Sequence, residues 1–222
     1  MTETAMPFDR DLARDKIVNA SLAHVPFDGW SAATLARAAE DSGYEAATAL
    51  RVFPGGPLDA IAHWTGMADR AMLADIEAEG EAFQALKIRE KIARAIRLRL
   101  EPLAAHREAV RRALALLALP QGVPVSLRTL WATVGAVWYA AGDRATDYNH
   151  YTKRGLAAGV YSTTLLYWLE DKSEGQANTW EFLDRRIANV MALPKAMGGV
   201  RAKLEAAASP LRPFFEKFKR AG

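Results

Sequence analysis

Cysteine is absent from the 222 residues, so neither a disulfide framework nor a thiolate zinc site can form. That absence fits a reducing compartment. Histidine is scarce, with His24, His63, His106 and His150 scattered along the chain. A di-iron site in a helical bundle needs two Glu-x-x-His pairs and two further acids. The nearest approach is Asp147 and His150, a single pair that reads as a helix-start cap beside a surface ring. There is no G-x-S-x-G nucleophile elbow and no phosphate-cradling glycine loop; the FPGG at 53–56 is proline-bound. Glu170 and Asp171 are adjacent and so point to different sides of a helix, and Arg185-Arg186 after Asp184 reads as a solvated face or an intrahelical ion pair. No catalytic residue, metal or chemical cofactor is expected. Long apolar runs are lacking too: the longest, GLAAGVYSTTLLYWL at 155–169, is too short and too polar for a bilayer span. The opening MTETAMPFDRDLARDK mixes acids with bases and has no apolar region, so neither a signal peptide nor a basic transit peptide is expected. A soluble or peripheral protein of the cytoplasm is the resulting expectation.

What is present is helix. Alanine and leucine dominate, apolar residues recur at three and four, and no strand pattern, internal repeat or low-complexity tract breaks the rhythm. Ala13, Ile17 and Ala20 share a face of a helix over 10–24, widened by Val18 and Leu22. Asp28 and Gly29 turn the chain, Ser31 caps a helix over 32–41, Gly43 stops it, and 44–52 makes a short further helix ended by FPGGP. Asp59 to Glu79 forms a longer one, and 81–119 one or two cationic helices interrupted near Pro102. After the PQGVP loop at 120–124 come two strongly apolar helices, 126–141 and 149–171, and then one over 179–193. The pattern predicts an all-α protein: a three-helix, helix-turn-helix module at 8–56, a larger antiparallel bundle at 57–194, and a tail at 195–222.

The helix-turn-helix rhythm of GWSAATLARAAEDSGYEAATALRVFPGG raises the question of DNA. A recognition helix lies in the major groove, and affinity comes mostly from neutralised phosphates. Here that helix offers Tyr44, Glu45, Thr48 and Arg51, behind a turn carrying Glu40 and Asp41. Residues 1–80 hold six bases against thirteen acids, a balance of −7, whereas residues 81–222 stand at +10. A module of that sign repels a polyanion, so the unit is expected to keep its shape through packing of Leu35, Ala36, Ala39, Leu50 and Phe53. Nucleic acid is not an expected partner, and the cationic partner surface belongs to the second part of the chain.

Four stretches together carry a resemblance: HVPFDGW at 24–30, the helix-turn-helix ending in FPGG, YTKRGLAAGVYSTTLLYWLEDKS at 151–173 and TWEFLDRRI at 179–187. They resemble the family of ubiquinone-biosynthesis accessory proteins that stands ninth in the coenzyme Q series, in its bacterial form, over roughly residues 10–193. The second half carries the more specific motifs. The resemblance implies a TetR-like fold used for lipid binding rather than repression, an isoprenoid quinone intermediate, a phospholipid or another lipid as ligand, and the pathway's di-iron hydroxylase as partner. It also implies a homodimer and membrane contact through a C-terminal amphipathic helix, at the inner membrane face. The hydroxylase patch it implies falls on Asp147, Asn149, His150, Tyr151 and Arg154. Where that patch should read Asn-Trp-Tyr, this chain has Asn149-His150-Tyr151. The ring stays flat but loses apolar area, which implies weaker partner affinity or a compensating change on the partner.

The residues support two further expectations on their own. In the apolar helices, Leu130, Trp131, Val134 and Trp138, with Val160, Tyr161, Leu165 and Trp168, either pack a solid core or wall a pocket between helices. The resemblance favours a pocket that accepts a prenyl tail, each buried methylene contributing about 0.8 kcal/mol. In the tail, Leu211, Phe214, Phe215 and Phe218 share one helical face, with Arg212, Lys217, Lys219 and Arg220 around it. Such a segment lies on an anionic membrane surface or docks on its own domain or a dimer mate. The expected function is therefore that of a non-enzymatic lipid-binding accessory protein of ubiquinone biosynthesis. The alternative is a TetR-type, ligand-responsive transcription regulator; a plain structural helical protein is the third class.

Overall fold

The computed structural model describes residues 8–142, 148–190 and 192, with side chains omitted for 148–153. Every element among these is helical. The first three are α1 (Arg10–Asp28), α2 (Ala32–Asp41) and α3 (Ala46–Val52). Asp9 caps α1 by accepting from the Leu12 amide at 3.0 Å, and Ser31 caps α2 by accepting from the Thr34 amide at 3.0 Å; each occupies one of the amides a helix start leaves unpaired. Gly43 stands at φ 81° between α2 and α3, a left-handed position that costs glycine little and other residues more. The core of this unit is Ile17, Val18, Leu35, Ala39, Val52 and Phe53, all buried. Leu50, expected among them, is 70 % exposed: on a helix as short as α3, only Thr48, Ala49 and Val52 turn inward.

The bundle follows as α4 (Pro57–Glu79), the single turn α5 (Glu81–Gln84), α6 (Ile88–Leu100), α7 (Arg107–Leu117), α8 (Val123–Ala140), α9 (Tyr148–Glu170) and α10, residues 177–190. The break expected near Pro102 is a 3-10 segment, Glu101–His106, that joins α6 to α7. α4 sits at the centre, packed against α1, α6 and α8, and α8 in turn packs on α9.

The front unit is fastened to the bundle rather than hung from it. Trp30 donates its indole N–H to the Ala109 carbonyl of α7 at 3.0 Å and lies against Trp64 of α4, ring centroids 5.5 Å apart. Arg14 of α1 pairs with Asp59 of α4 at 3.0 Å. His63 of α4, its side chain 8 % exposed, meets the Asp15 carboxylate at 2.6 Å. Burial is the main cause holding the His63 pKa below its ordinary value, with the Asp15 hydrogen bond acting against it and Arg14 and Arg70 reinforcing it. At the other end, Asp171 organises the passage from α9 to α10. Its buried carboxylate accepts from the amides and hydroxyls of both Ser173 and Thr179 at 2.6–2.8 Å. Burial opposes that charge, yet these four donors outweigh it and hold the pKa down to about 2.

Candidate functional site

A cavity of about 210 Å³ lies within the bundle, between α4, α6, α7, α8 and α9. Its apolar walls come from Ile61, Trp64 and Ala68 of α4 and from Val110, Ala113 and Leu117 of α7. Leu130 of α8 and Leu165 and Leu166 of α9 complete them. The lining passes from fully buried residues such as Ile61 to Leu166, which is 58 % exposed, so the cavity reaches the surface beside α9.

The wall also has polar members: the hydroxyl residues Thr65, Ser126, Thr129 and Ser162, and a charged cluster. Arg99 of α6, 5 % exposed, gives its Nε–H to Asp69 Oδ1 of α4 at 2.6 Å and an Nη1–H to the Tyr161 hydroxyl of α9. A weaker bond runs from Nη2 to Thr133 Oγ1 of α8 at 3.4 Å. Thr133 stands 3.0 Å from both oxygens of Asp69. The Arg99 ion also sits over the Tyr161 ring at 5.2 Å from its centroid. Burial opposes the Arg99 charge, but Tyr161 and Asp69 together outweigh it and the pKa lies above the ordinary arginine value. Burial, helped by Asp69 and opposed by Arg99, pushes the Tyr161 hydroxyl up, so it stays protonated. Arg99, Thr133 and Tyr161 face the cavity, whereas Asp69 stands behind them.

Of the pocket residues expected from sequence, Leu130, Tyr161 and Leu165 line this cavity. Val134, Trp138, Val160 and Trp168 are buried outside the cavity lining, and Trp131 is 43 % exposed on α8. Trp168 lies beneath the Arg107 guanidinium, 4.7 Å from its ring centroid. Sequence reasoning missed the contributions of α4 and α7 and the whole polar cluster. The signal was there: Arg99 follows Ile92, Ala95 and Ile96 on the inward stripe of α6, and Asp69 precedes Met72 and Ile76 on that of α4. Opposite charges at core positions of two packed helices point at each other.

Of the expected partner patch, Asn149, His150 and Tyr151 fall in the first turn of α9, and Asp147 lies outside the described residues. Arg154 is half-buried, with its Nε 3.9 Å from where a Cβ on Gly135 of α8 would stand. The membrane residues Leu211, Phe214, Phe215, Lys217, Phe218, Lys219 and Arg220 also lie outside the described residues. On α3 the exposed residues are Ala47, Leu50 and Arg51, preceded by the exposed N-cap residue Glu45, and the Arg51 guanidinium lies over the Phe8 ring at 4.5 Å; Thr48 is buried. Among the described residues no helix is long and apolar enough to cross a membrane, and no group of three or more His, Asp or Glu is arranged to hold a metal.

The COQ9 family model matches residues 123–194, the stretch that spans α8, α9 and α10. The chain is 34 % identical over 185 residues to the mitochondrial ubiquinone biosynthesis protein COQ9 of Drosophila melanogaster, covering 82 % of this chain and 56 % of that protein. To the COQ9 of Rattus norvegicus it is 33 % identical over 196 residues, covering 86 % and 62 %. To COQ9-B of Xenopus laevis it is 32 % identical over 198 residues, covering 87 % of this chain and 67 % of that protein. The chain belongs to the COQ9 family. It spans 56 % and 62 % of the length of the fly and rat COQ9 proteins. In fold it matches a TetR transcriptional regulator from Nitrosomonas europaea ATCC 19718, with a TM-score of 0.64, 24 % identity, and coverage of 80 % of this chain and 97 % of that one. The all-α, TetR-like architecture expected from sequence is thus the fold of this COQ9 relative.

Proposed function

We propose that this chain is a non-enzymatic, lipid-binding accessory protein of ubiquinone biosynthesis, which takes an isoprenoid quinone intermediate into the bundle cavity and presents it to the pathway's di-iron hydroxylase at the membrane. The observation that carries this reading is the cavity itself, walled by leucine, valine, isoleucine and tryptophan and reaching the surface at Leu166. Its COQ9 relatives are named for ubiquinone biosynthesis, which supplies the lipid class. At about 210 Å³ the cavity is smaller than the ~300–1,000 Å³ usual for a small-molecule site, so it takes part of such a ligand and leaves the remainder to run out past α9. The alternative, a regulator that reads DNA, is disfavoured by α3, which opens on an exposed Glu45 cap and shows Ala47, Leu50 and an arginine engaged by Phe8.

The rest of the mechanism is binding and transfer. The basic amphipathic stretch at 209–222 docks on an anionic, inner-face membrane surface, the cavity accepts the lipid, and the patch around Tyr151 and Arg154 meets the hydroxylase. A homodimer forms on the outer face of α8, where Leu127, Trp131 and Tyr139 are 62 %, 43 % and 71 % exposed; an apolar surface of that kind marks an interaction site. Native mass spectrometry after gentle purification tests the reading. A bound species with an isoprenoid mass is the expected result, and a lipid-free dimer that shifts a DNA probe would carry the alternative instead. Removal of 209–222 is expected to weaken sedimentation with anionic liposomes while the fold persists; unchanged sedimentation would remove the membrane step.

A further inference from the structure

We infer that the cavity receives the oxygen-bearing ring end of its lipid, and that Arg99 and Tyr161, backed by Asp69 and Thr133, form the subsite that selects a neutral hydrogen-bond acceptor there. This rests on the reading of the cavity as a site for an isoprenoid lipid, and it reverses the tail-first orientation that the apolar sequence of α8 and α9 suggests.

A guanidinium carries five N–H groups and accepts nothing. Arg99 spends one on Asp69, one on Tyr161 and one, at 3.4 Å, on Thr133, so two have no partner among the described residues. The Tyr161 hydroxyl accepts from Arg99 and its own proton has no acceptor among the described residues. Both Asp69 oxygens are already engaged, by Arg99 and Thr133. The polar cluster therefore holds surplus donors at two side chains more than nine-tenths buried, Arg99 at 5 % and Tyr161 at 6 % exposure, while the Thr133 proton is spent on Asp69. Donors left unsatisfied away from water are costly, and a ligand oxygen that takes them is rewarded. A hydrocarbon tail placed there would leave them unmet.

Charge and size narrow the class. Asp69 already balances Arg99 at 2.6 Å, so the subsite carries no net positive charge to attract a carboxylate or phosphate. A carbonyl or ether oxygen fits; an anion would add an unbalanced charge to a low-dielectric interior. A cavity of about 150 Å³ holds a benzene ring, so about 210 Å³ admits one substituted ring and little more. The first prenyl unit then lies along Leu165 and Leu166, and the rest of the chain leaves the bundle.

Calorimetric titration of the full chain with three probes tests this: a benzoquinone bearing one prenyl unit, the prenylbenzene that lacks both oxygens, and the monophosphate of the same prenyl chain. The quinone is expected to bind about tenfold or more tightly than prenylbenzene, as the satisfaction of buried donors implies. Tyr161→Phe, checked for an intact thermal transition, should bring the two affinities together by weakening the quinone alone. A purely structural role for Tyr161 would move the melting temperature and leave that ratio unchanged, which would overturn the assignment. Equal binding of quinone and prenylbenzene to the unaltered protein would overturn the subsite while leaving the cavity as a lipid site. Tighter binding of the monophosphate would overturn its neutral character. Failure of all three to bind would overturn the subsite and the lipid reading together.

Discussion

At the scale of single residues, the strongest interactions are buried charges that the structure has satisfied. Arg99 and Asp69 are held on different helices at 2.6 Å with little access to water. Removing one partner leaves the other as an uncompensated interior charge, which costs about 3–5 kcal/mol. Asp69→Ala is therefore expected to lower the urea-unfolding free energy by that amount, and joint replacement, Asp69→Leu with Arg99→Met, to lower it less. Asp171 works in the opposite setting, as an acceptor of four donors at the end of α9. Its pKa is depressed from 3.8 to about 2, so its contribution is complete above pH 3.8 and is lost as the pH falls toward 2. In Asp171→Ala the stability lost on acidification through that window should shrink, measured by denaturant titration. For His63 the folded pKa lies below its reference value of 6.5. The unfolded chain then binds the proton more readily, so stability is full above pH 6.5 and declines below it. The loss between pH 7.5 and 5.5 should be smaller in His63→Gln.

At the scale of the element, much of the helix pattern was legible and its exceptions are instructive. Ser31 caps α2 through the amide of Thr34 and Gly43 turns the chain at positive φ, as the local sequence demands. Pro102 yields a 3-10 segment rather than a full break, because a proline near the start of a turn lacks only an amide that is unpaired there in any case. Leu50 misled because amphipathic spacing over about two turns does not define a face. Arg99 and Asp69 were hidden by the opposite habit, in which charged residues are assigned to water, although both occupy inward positions. The joint of α7 and α8 carries a constraint that spacing cannot reveal. A Cβ on Gly122 would stand 2.4 Å from the Leu116 carbonyl oxygen and 2.7 Å from the Leu117 Cα. Backbone cannot yield as a flexible side chain does, so Gly122→Ala should lower the thermal midpoint well beyond the effect of Gly155→Ala in α9, where an added Cβ meets nothing within 4 Å.

At the scale of the whole molecule, a TetR-like shape is built with an acidic front unit fastened to α4 and α7 and a cavity set among the helices behind it. The fold was readable because alanine- and leucine-rich periodicity leaves few alternatives. The cavity was half readable: Leu130, Tyr161 and Leu165 came from the two most apolar helices, but α4 and α7 contribute as much of the wall, and which faces of five helices meet is a tertiary fact. The exposed face of α8 sets its own test. For the proposed dimer, Leu127→Asp, on a side chain 62 % exposed, should leave the monomer folded and shift the sedimentation profile from dimer to monomer; an unaltered profile would contradict a dimer contact on this face.

The central claim is that the cavity carries the lipid. Ala113 lines it and is 5 % exposed, so Ala113→Phe fills the space with a ring. Liposomes loaded with a prenylated benzoquinone, incubated with each protein and separated by flotation, give the amount of quinone that leaves with the protein. The account predicts a nearly equimolar quinone load on the unaltered chain and a load reduced about tenfold or more on a folded Ala113→Phe variant. Equal loads on the two proteins, or no quinone on either, would contradict it.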